Sequence, residues 1–117
     1  MVDDDVELGE GLCEILELEG ISCVRATCAA EALPAAQGSS PAVVLTDFQL
    51  PDSDGIAMCA KIKAILPGIS CILMTGRNLL PEEKSRGEAI GISRYVLKPF
   101  DIPALCSVIK AIIKGRN

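Results

Sequence analysis

Asp47 closes an apolar run, Ala42-Val43-Val44-Leu45, and leads into a loop that holds Pro51 and Asp54-Gly55. Those are turn residues, and a helical pattern opens at Ile56. An acid at the end of a buried strand, just ahead of a loop and a helix, sits where open α/β sheets bind ligands. The same position suits a plain turn cap, and this stretch alone leaves both readings open. Three other places widen the question: Asp3-Asp4-Asp5 behind Met1-Val2, Thr75 at the end of an apolar run, and Lys98 after Arg94-Tyr95-Val96-Leu97. If these meet, carboxylates, a hydroxyl and an amine share one site. Two carboxylates 4 Å apart repel by about 4 kcal/mol at an effective dielectric of 20, so such a cluster calls for a cation. Oxygen donors with room for a phosphate suit Mg²⁺. A lysine serves a phosphoryl group as a point charge, and a threonine hydroxyl can donate to a phosphoryl oxygen. An aspartate can itself accept phosphoryl. The chemistry indicated is Mg²⁺-dependent phosphoryl transfer onto or off a carboxylate.

Those residues meet only if the elements between them bring them to one edge. Leu8, Leu12, Ile15 and Leu16 recur on one helical face, which predicts a helix over 6–18 ended by Glu19-Gly20. Residues 21–26 read as a short strand. Thr27 is a candidate cap for a helix from Ala29 to about Gln37, kinked or shortened by Pro34. The run into Asp47 is the next strand. Ile56, Cys59, Ile62 and Leu66 mark a helix stopped by Pro67-Gly68. Residues 70–75 form a nearly continuous apolar strand, as expected of parallel strands buried on both faces. Pro81 starts a helix that reaches Ile90. Residues 94–97 are a strand, and Asp101 caps a last helix with Ile102, Leu105, Ile109 and Ile112 on its buried face. With Met1-Val2 as the stub of a first strand, the order is strand–helix five times over. That argues a parallel sheet with helices on both sides and right-handed crossovers, so the strand ends share one edge. One domain of 117 residues follows.

Composition excludes several classes. Net charge is −5, and nine of the sixteen acids lie in residues 1–31, where Arg25 is the only base. Phe48, Tyr95 and Phe100 are the only aromatics. Such a chain has neither the charge nor the stacking platforms of a nucleic-acid binder. No histidine is present, which removes Ser-His-Asp and Cys-His catalysis. Cys13, Cys23, Cys28, Cys59, Cys71 and Cys106 form no CxxC pair and are expected as reduced thiols in a core. No apolar stretch approaches the roughly 18 residues of a membrane span, and acids stand where a signal peptide would be basic. A soluble cytoplasmic protein is expected.

Four motifs, in register over the whole chain, carry a family resemblance: Val2-Asp3-Asp4, Asp47-x-x-Leu50-Pro51-x-x-Asp54-Gly55, Met74-Thr75-Gly76 and Tyr95-x-x-Lys98-Pro99-Phe100. Together they resemble the CheY-like receiver domain of two-component response regulators. The resemblance implies a flavodoxin-like sheet of strand order 2-1-3-4-5, here with a truncated first strand. It implies that Asp47 takes a phosphoryl group from the phosphohistidine of a histidine kinase or a histidine phosphotransfer domain. Asp3, Asp4, Asp47 and the backbone carbonyl of Gln49 would hold Mg²⁺, or Mn²⁺. Lys98 would pair with the acids and then with the phosphoryl group. Thr75 and Tyr95 would act as the switch pair, and Gln49 and Arg77 would tune phosphoryl lifetime. Lys98-Pro99 would be a cis peptide bond. An output domain, a downstream protein or a homodimer would receive the signal. Asp5, Asp52 and Asp54 read as turn or cap residues.

Two other functions stay open at this stage. One is a small Mg²⁺ phosphohydrolase with an aspartate nucleophile; Gln49 argues against it, because the second acid expected two residues on is missing. The other is a degenerate receiver that only binds or dimerises; the full Asp-Asp-Asp-Thr-Lys set argues against that. Self-catalysed phosphorylation and dephosphorylation, rather than conventional turnover, is the expected activity.

Overall fold

The structure, a computed structural model, describes residues 1–115. Five helices and three strands follow one another along it, alternating from β1 onward: α1 (Val6–Leu18), α2 (Ala29–Ser39), β1 (Val43–Asp47), α3 (Gly55–Ile65), β2 (Ser70–Thr75), α4 (Pro81–Ile90), β3 (Arg94–Leu97) and α5 (Ile102–Gly115). The strands form one parallel sheet in the order β1-β2-β3. Asp47 stands opposite Met74, and Thr75 opposite Leu97, so the strand ends lie together.

The sheet is covered on both faces, which is why β1 and β2 read as continuous apolar runs. Leu45, Ile72 and Met74 face α1 and α5, where they pack with Leu12, Leu16, Leu105 and Ile109. Val44 and Cys71 face the other way, onto the alanines of α2 and onto Met58, Cys59 and Ile62 of α3. Leu73 joins that second face near Phe48, Ile56 and Leu79.

Helix starts follow local capping chemistry. Asp5 accepts from Leu8 N–H at the start of α1, and Asp54 accepts from Ala57 N–H at the start of α3. Asp101 does the same for Ala104 ahead of α5. Gly91, in the left-handed region at φ 78°, ends α4.

Several expectations are corrected. Five strands are reduced to three. Residues 21–26 form no strand, and Val2 makes only single parallel bridges to Ala26 and to Thr46. The reason is length: one residue has a single N–H and a single C=O, and Val2 uses both on Leu45 and Asp47 of β1. Helix α2 runs through Pro34 to Ser39 and is neither short nor capped by Thr27. Thr27 donates its hydroxyl and N–H to Glu31 instead. The α2 N–H groups of Ala29 and Ala30 are taken by Asp52, from a loop 23 and 22 residues away. Cys13 and Cys23 are joined in a disulfide, with their Cα atoms 5.7 Å apart, so the reduced-thiol expectation fails for this pair. The helix α1 face and the segment after it bring them within bonding reach. Cys28, Cys59, Cys71 and Cys106 are free thiols. Among the described residues no helix is long and apolar enough to cross a membrane.

Candidate functional site

The site is assembled at the carboxyl edge of the sheet. Asp47 is the last residue of β1. Asp3 is held beside it because Val2 is bonded into the edge of β1. Lys98 follows β3 directly, with its N–H bonded to Thr75 C=O and a cis peptide bond to Pro99. Each side chain therefore arrives on the end of a strand, or on a residue pinned to one.

Asp3, Asp4 and Asp47 each offer a carboxylate oxygen, and these oxygens lie within 4.8 Å of one another. Asp3 is buried at 4% exposure, too deep to be a solvated N-terminal acid. Its carboxylate accepts from Asp5 N–H at 2.9 Å and from Lys98 Nζ at 2.7 Å. Lys98 Nζ also stands 3.6 Å from Asp47 Oδ2. Burial pushes the Asp47 carboxyl up from its ordinary value; the Lys98 charge opposes this, and the Asp3 charge adds to it. Burial alone would lower the Lys98 ammonium, but the hydrogen bond and charge of Asp3, then of Asp47, carry it above its ordinary value. One amine thus serves two acids, which leaves the cluster short of positive charge. A cluster of all-oxygen donors with an excess of carboxylate charge fits a hard divalent cation such as Mg²⁺ or Mn²⁺.

The remaining predicted residues lie around this centre. Thr75 is buried at the end of β2, and its hydroxyl donates to Arg77 C=O at 2.7 Å. Gln49 is exposed in the loop, with a single antiparallel bridge to Asp54. The Arg77 guanidinium grips Glu83 of α4 with two bonds, 2.8 and 2.9 Å, and lies over the Phe48 ring at 5.4 Å. Tyr95 is half-exposed on β3, and its hydroxyl rests on Gly87 of α4. Asp3, Asp4, Asp47 and Lys98 are thus brought into one cluster. Arg77 and Tyr95 are instead engaged with α4.

Residues 1–110 match the response regulator receiver domain family. The chain belongs to that family. Among curated relatives, this receiver is 30% identical over its full length to the transcriptional regulatory protein BasR of Escherichia coli, covering 52% of that protein. It is 31% identical over 97% of its length to the probable transcriptional regulatory protein TcrX of Mycobacterium tuberculosis, covering 48% of it. The chain therefore spans about half the length of these relatives. A CheY-like receiver domain protein from Methanospirillum hungatei superposes with a TM-score of 0.91 at 30% identity, covering 97% of this chain and 90% of that one. A two-component response regulator from Clostridium difficile does so with 0.90 at 26%, covering 99% and 94%. The receiver fold of two-component signalling is thereby established for this chain.

Sequence reasoning missed three participants, Phe48, Glu83 and Gly87, and it gave Asp52 as a turn or cap residue without the helix α2 that it caps. Asp52 and Phe48 act on partners distant in sequence, Ala29 and Arg77, and carry no local signature. The Glu83 contact had a weak one, since Glu83 stands at the third position after Leu80, where a side chain can reach back to the N-terminal backbone. It accepts from Leu80 N–H at 2.8 Å. Gly87 reads only as a poor helix former.

Proposed function

We propose that this receiver, as a single domain over residues 1–117, accepts a phosphoryl group on Asp47 from the phosphohistidine of a histidine kinase or phosphotransfer domain. The observation that carries the reading is the pairing of Asp47 with Asp3 and Asp4 around Lys98. An Asp47 carboxylate oxygen attacks phosphorus as the P–N bond to histidine breaks, and the bonding pair leaves with the imidazole nitrogen, which takes a proton from solvent. Asp3, Asp4, Asp47 and the Gln49 carbonyl would hold Mg²⁺, or Mn²⁺, which when bound supplies the positive charge that the acids and the phosphoryl oxygens lack. Lys98 Nζ already lies between Asp3 and Asp47 and needs only a small movement to neutralise a phosphoryl oxygen. The Thr75 proton moves its hydrogen bond from Arg77 C=O to a phosphoryl oxygen. That releases the Arg77 backbone, and with it the Glu83 tether of α4. Tyr95 and the α4–β3–α5 face carry the change outward to an output domain, a downstream protein or a second copy. Gln49 and Arg77 set how readily water reaches the phosphoryl group.

Intact-mass measurement after incubation with Mg²⁺ and acetyl phosphate tests this. One added phosphoryl group is expected, lost in Asp47→Asn and on chelation of the metal. An unmodified mass in the parent would overturn it, and steady release of phosphate from a phosphomonoester would point to a phosphohydrolase instead.

A further inference from the structure

The loop between β1 and α3 is a small hairpin with ties to three helices. Two bonds form its base: Gly55 N–H donates to Phe48 C=O at 2.6 Å, and Leu50 N–H donates to Ser53 C=O at 3.0 Å. They flank the Gln49–Asp54 bridge, so that pair is of the antiparallel kind that exchanges no bond of its own. Gln49 N–H and C=O therefore point away from Asp54, and among the described residues neither is hydrogen-bonded. The hairpin leaves this carbonyl free but does not by itself fix where it lies. An isolated two-stranded hairpin is marginal in water, so its tilt needs outside support.

Two carboxylates on the hairpin supply that support. Asp54, at the base, accepts from Ala57 N–H of α3 at 2.7 Å and from Arg86 of α4 at 3.0 Å. Asp52, at the tip, accepts from Ala29 N–H with one oxygen and from Ala30 N–H with the other, both at 2.9 Å. The tie to α2 is the unusual one. A helix commonly takes its cap from the residue just ahead of it. Cys28 stands there and makes no side-chain cap bond, while Thr27 is engaged with Glu31. The first amides of α2 go instead to a carboxylate 23 and 22 residues away. Those two bonds hold the Asp52 carboxyl below its ordinary value, so it grips in its charged form.

We propose that Asp52 is a positioning residue for the metal: its grip on α2 sets the tilt of the loop, and so the place of Gln49 C=O beside Asp3, Asp4 and Asp47. This rests on the reading of that cluster as a Mg²⁺ site and names what prepares it. With the clamp closed, the carbonyl is already in place and the loop is not ordered at the expense of binding. With the clamp open, apparent affinity falls by the fraction of loops that remain closed. The coupling is reciprocal, so the closed fraction rises when the ion is bound. Occupancy of the acid cluster is thereby carried to the start of α2. That helix lies on the sheet face opposite α1 and α5, and the route passes through neither Thr75 nor α4.

Isothermal titration with MgCl₂ compares the 117-residue chain with Asp52→Ala, Asp52→Asn and Glu31→Ala. Amide exchange at Ala29 and Ala30 is read with and without Mg²⁺. Asp52→Ala is expected to raise the Mg²⁺ Kd about fivefold or more. Asparagine loses the charge but keeps one acceptor oxygen, so Asp52→Asn should fall between the parent and Asp52→Ala. Glu31→Ala removes a nearby acid and frees Thr27 at the same helix start, yet leaves both Asp52 bonds, so its Kd should match the parent's. In the parent, Mg²⁺ should slow exchange at Ala29 and Ala30 by a factor similar to the loss in Asp52→Ala. Exchange there that ignores bound Mg²⁺ would overturn the proposal without any variant. So would an unchanged Kd in Asp52→Ala, equal losses in Asp52→Ala and Asp52→Asn, which charge alone would give, or an equal loss in Glu31→Ala. Each of these leaves the metal site standing, whereas a parent that binds no Mg²⁺ would overturn the site and the clamp together.

Discussion

β2 and β3 are neighbours in one sheet, yet they are held by different forces. Every residue from Cys71 to Thr75 is buried, while Arg94, Tyr95 and Leu97 of β3 are exposed. The helices repeat the contrast. α3 buries Gly55, Ile56, Met58, Cys59 and Ile62; α4 buries only Gly87. The centre is fixed by apolar area, which is non-directional and costly to separate. Beyond the pairing of β3 with β2 and the packing of Ile90 and Val96, the edge is fixed by a few discrete contacts: Arg77 on Glu83, Arg86 on Asp54 at 3.0 Å, and Tyr95 on Gly87. Contacts of that kind can be exchanged one at a time. Segments that must move are drawn from such low-burial regions.

Two glycines put the contrast to its hardest test. A Cβ on Gly55 would meet the Asp47 carbonyl oxygen at 2.4 Å and Leu73 Cδ1 at 2.8 Å. The first is backbone at the end of β1 and has nowhere to go. Gly55→Ala is therefore expected to cost about 1–3 kcal/mol or more in a denaturant titration. An unchanged midpoint would show that the centre is looser than its burial suggests.

A Cβ on Gly87 would meet the Tyr95 hydroxyl at 2.0 Å, which is the far end of a side chain that can swing away. Alanine is also the better helix former, by about 1 kcal/mol. The expected result of Gly87→Ala is a midpoint shift of no more than about 1 kcal/mol in either direction, with Tyr95 displaced. Tyr95 is the only tyrosine and there is no tryptophan, so intrinsic emission reports on it directly. Its phenol is now pushed above the ordinary value by burial, with the Glu88 charge adding to this. In Gly87→Ala that midpoint should fall back toward about 10. Emission and titration both unchanged would mean that Gly87 does not seat the ring.

The smallest effect concerns the Arg77 fork. The Arg77 hydrogen bonds, then Leu80 N–H, hold the Glu83 carboxyl down to about 2. The ordinary glutamate value is about 4.3, so the folded value is depressed. The contribution of this pair is present above the ordinary value and is lost as pH falls from there through the folded value. Arg77→Ala should move the Glu83 midpoint, read by carboxyl NMR, up toward the ordinary range. A midpoint that stays put would place the cause in the Leu80 bond alone.

Much of this was legible in the sequence, for identifiable reasons. The helices α1, α3 and α4 and the strands β1, β2 and β3 follow from apolar periodicity and from Gly, Pro and Asp punctuation, which are local signals. The clustering of Asp3, Asp4, Asp47 and Lys98 follows from each standing at or beside a strand end in a parallel sheet. What was not legible depends on contacts distant in the chain. The Asp52 cap of α2 spans more than twenty residues, and the Tyr95 seat on Gly87 looks in sequence like a helix defect. The expected strand over 21–26 failed because a strand exists only opposite a partner, and Met1-Val2 offers too little of one. Pairing of Cys13 with Cys23 was missed because no motif marks it; the turn after α1 brings them together.

The central claim is that events at Asp47 reach α4 because α4 is held by few, exchangeable contacts. Hydrogen exchange across residues 82–90, with and without the phosphoryl mimic beryllofluoride and Mg²⁺, tests it most directly. The account predicts faster exchange there than in α3 for the free protein, and a clear change in 82–90 when the mimic binds while α3 stays as it was. Fast exchange in α4 that the mimic leaves untouched, under conditions where its binding at Asp47 is verified, would contradict it.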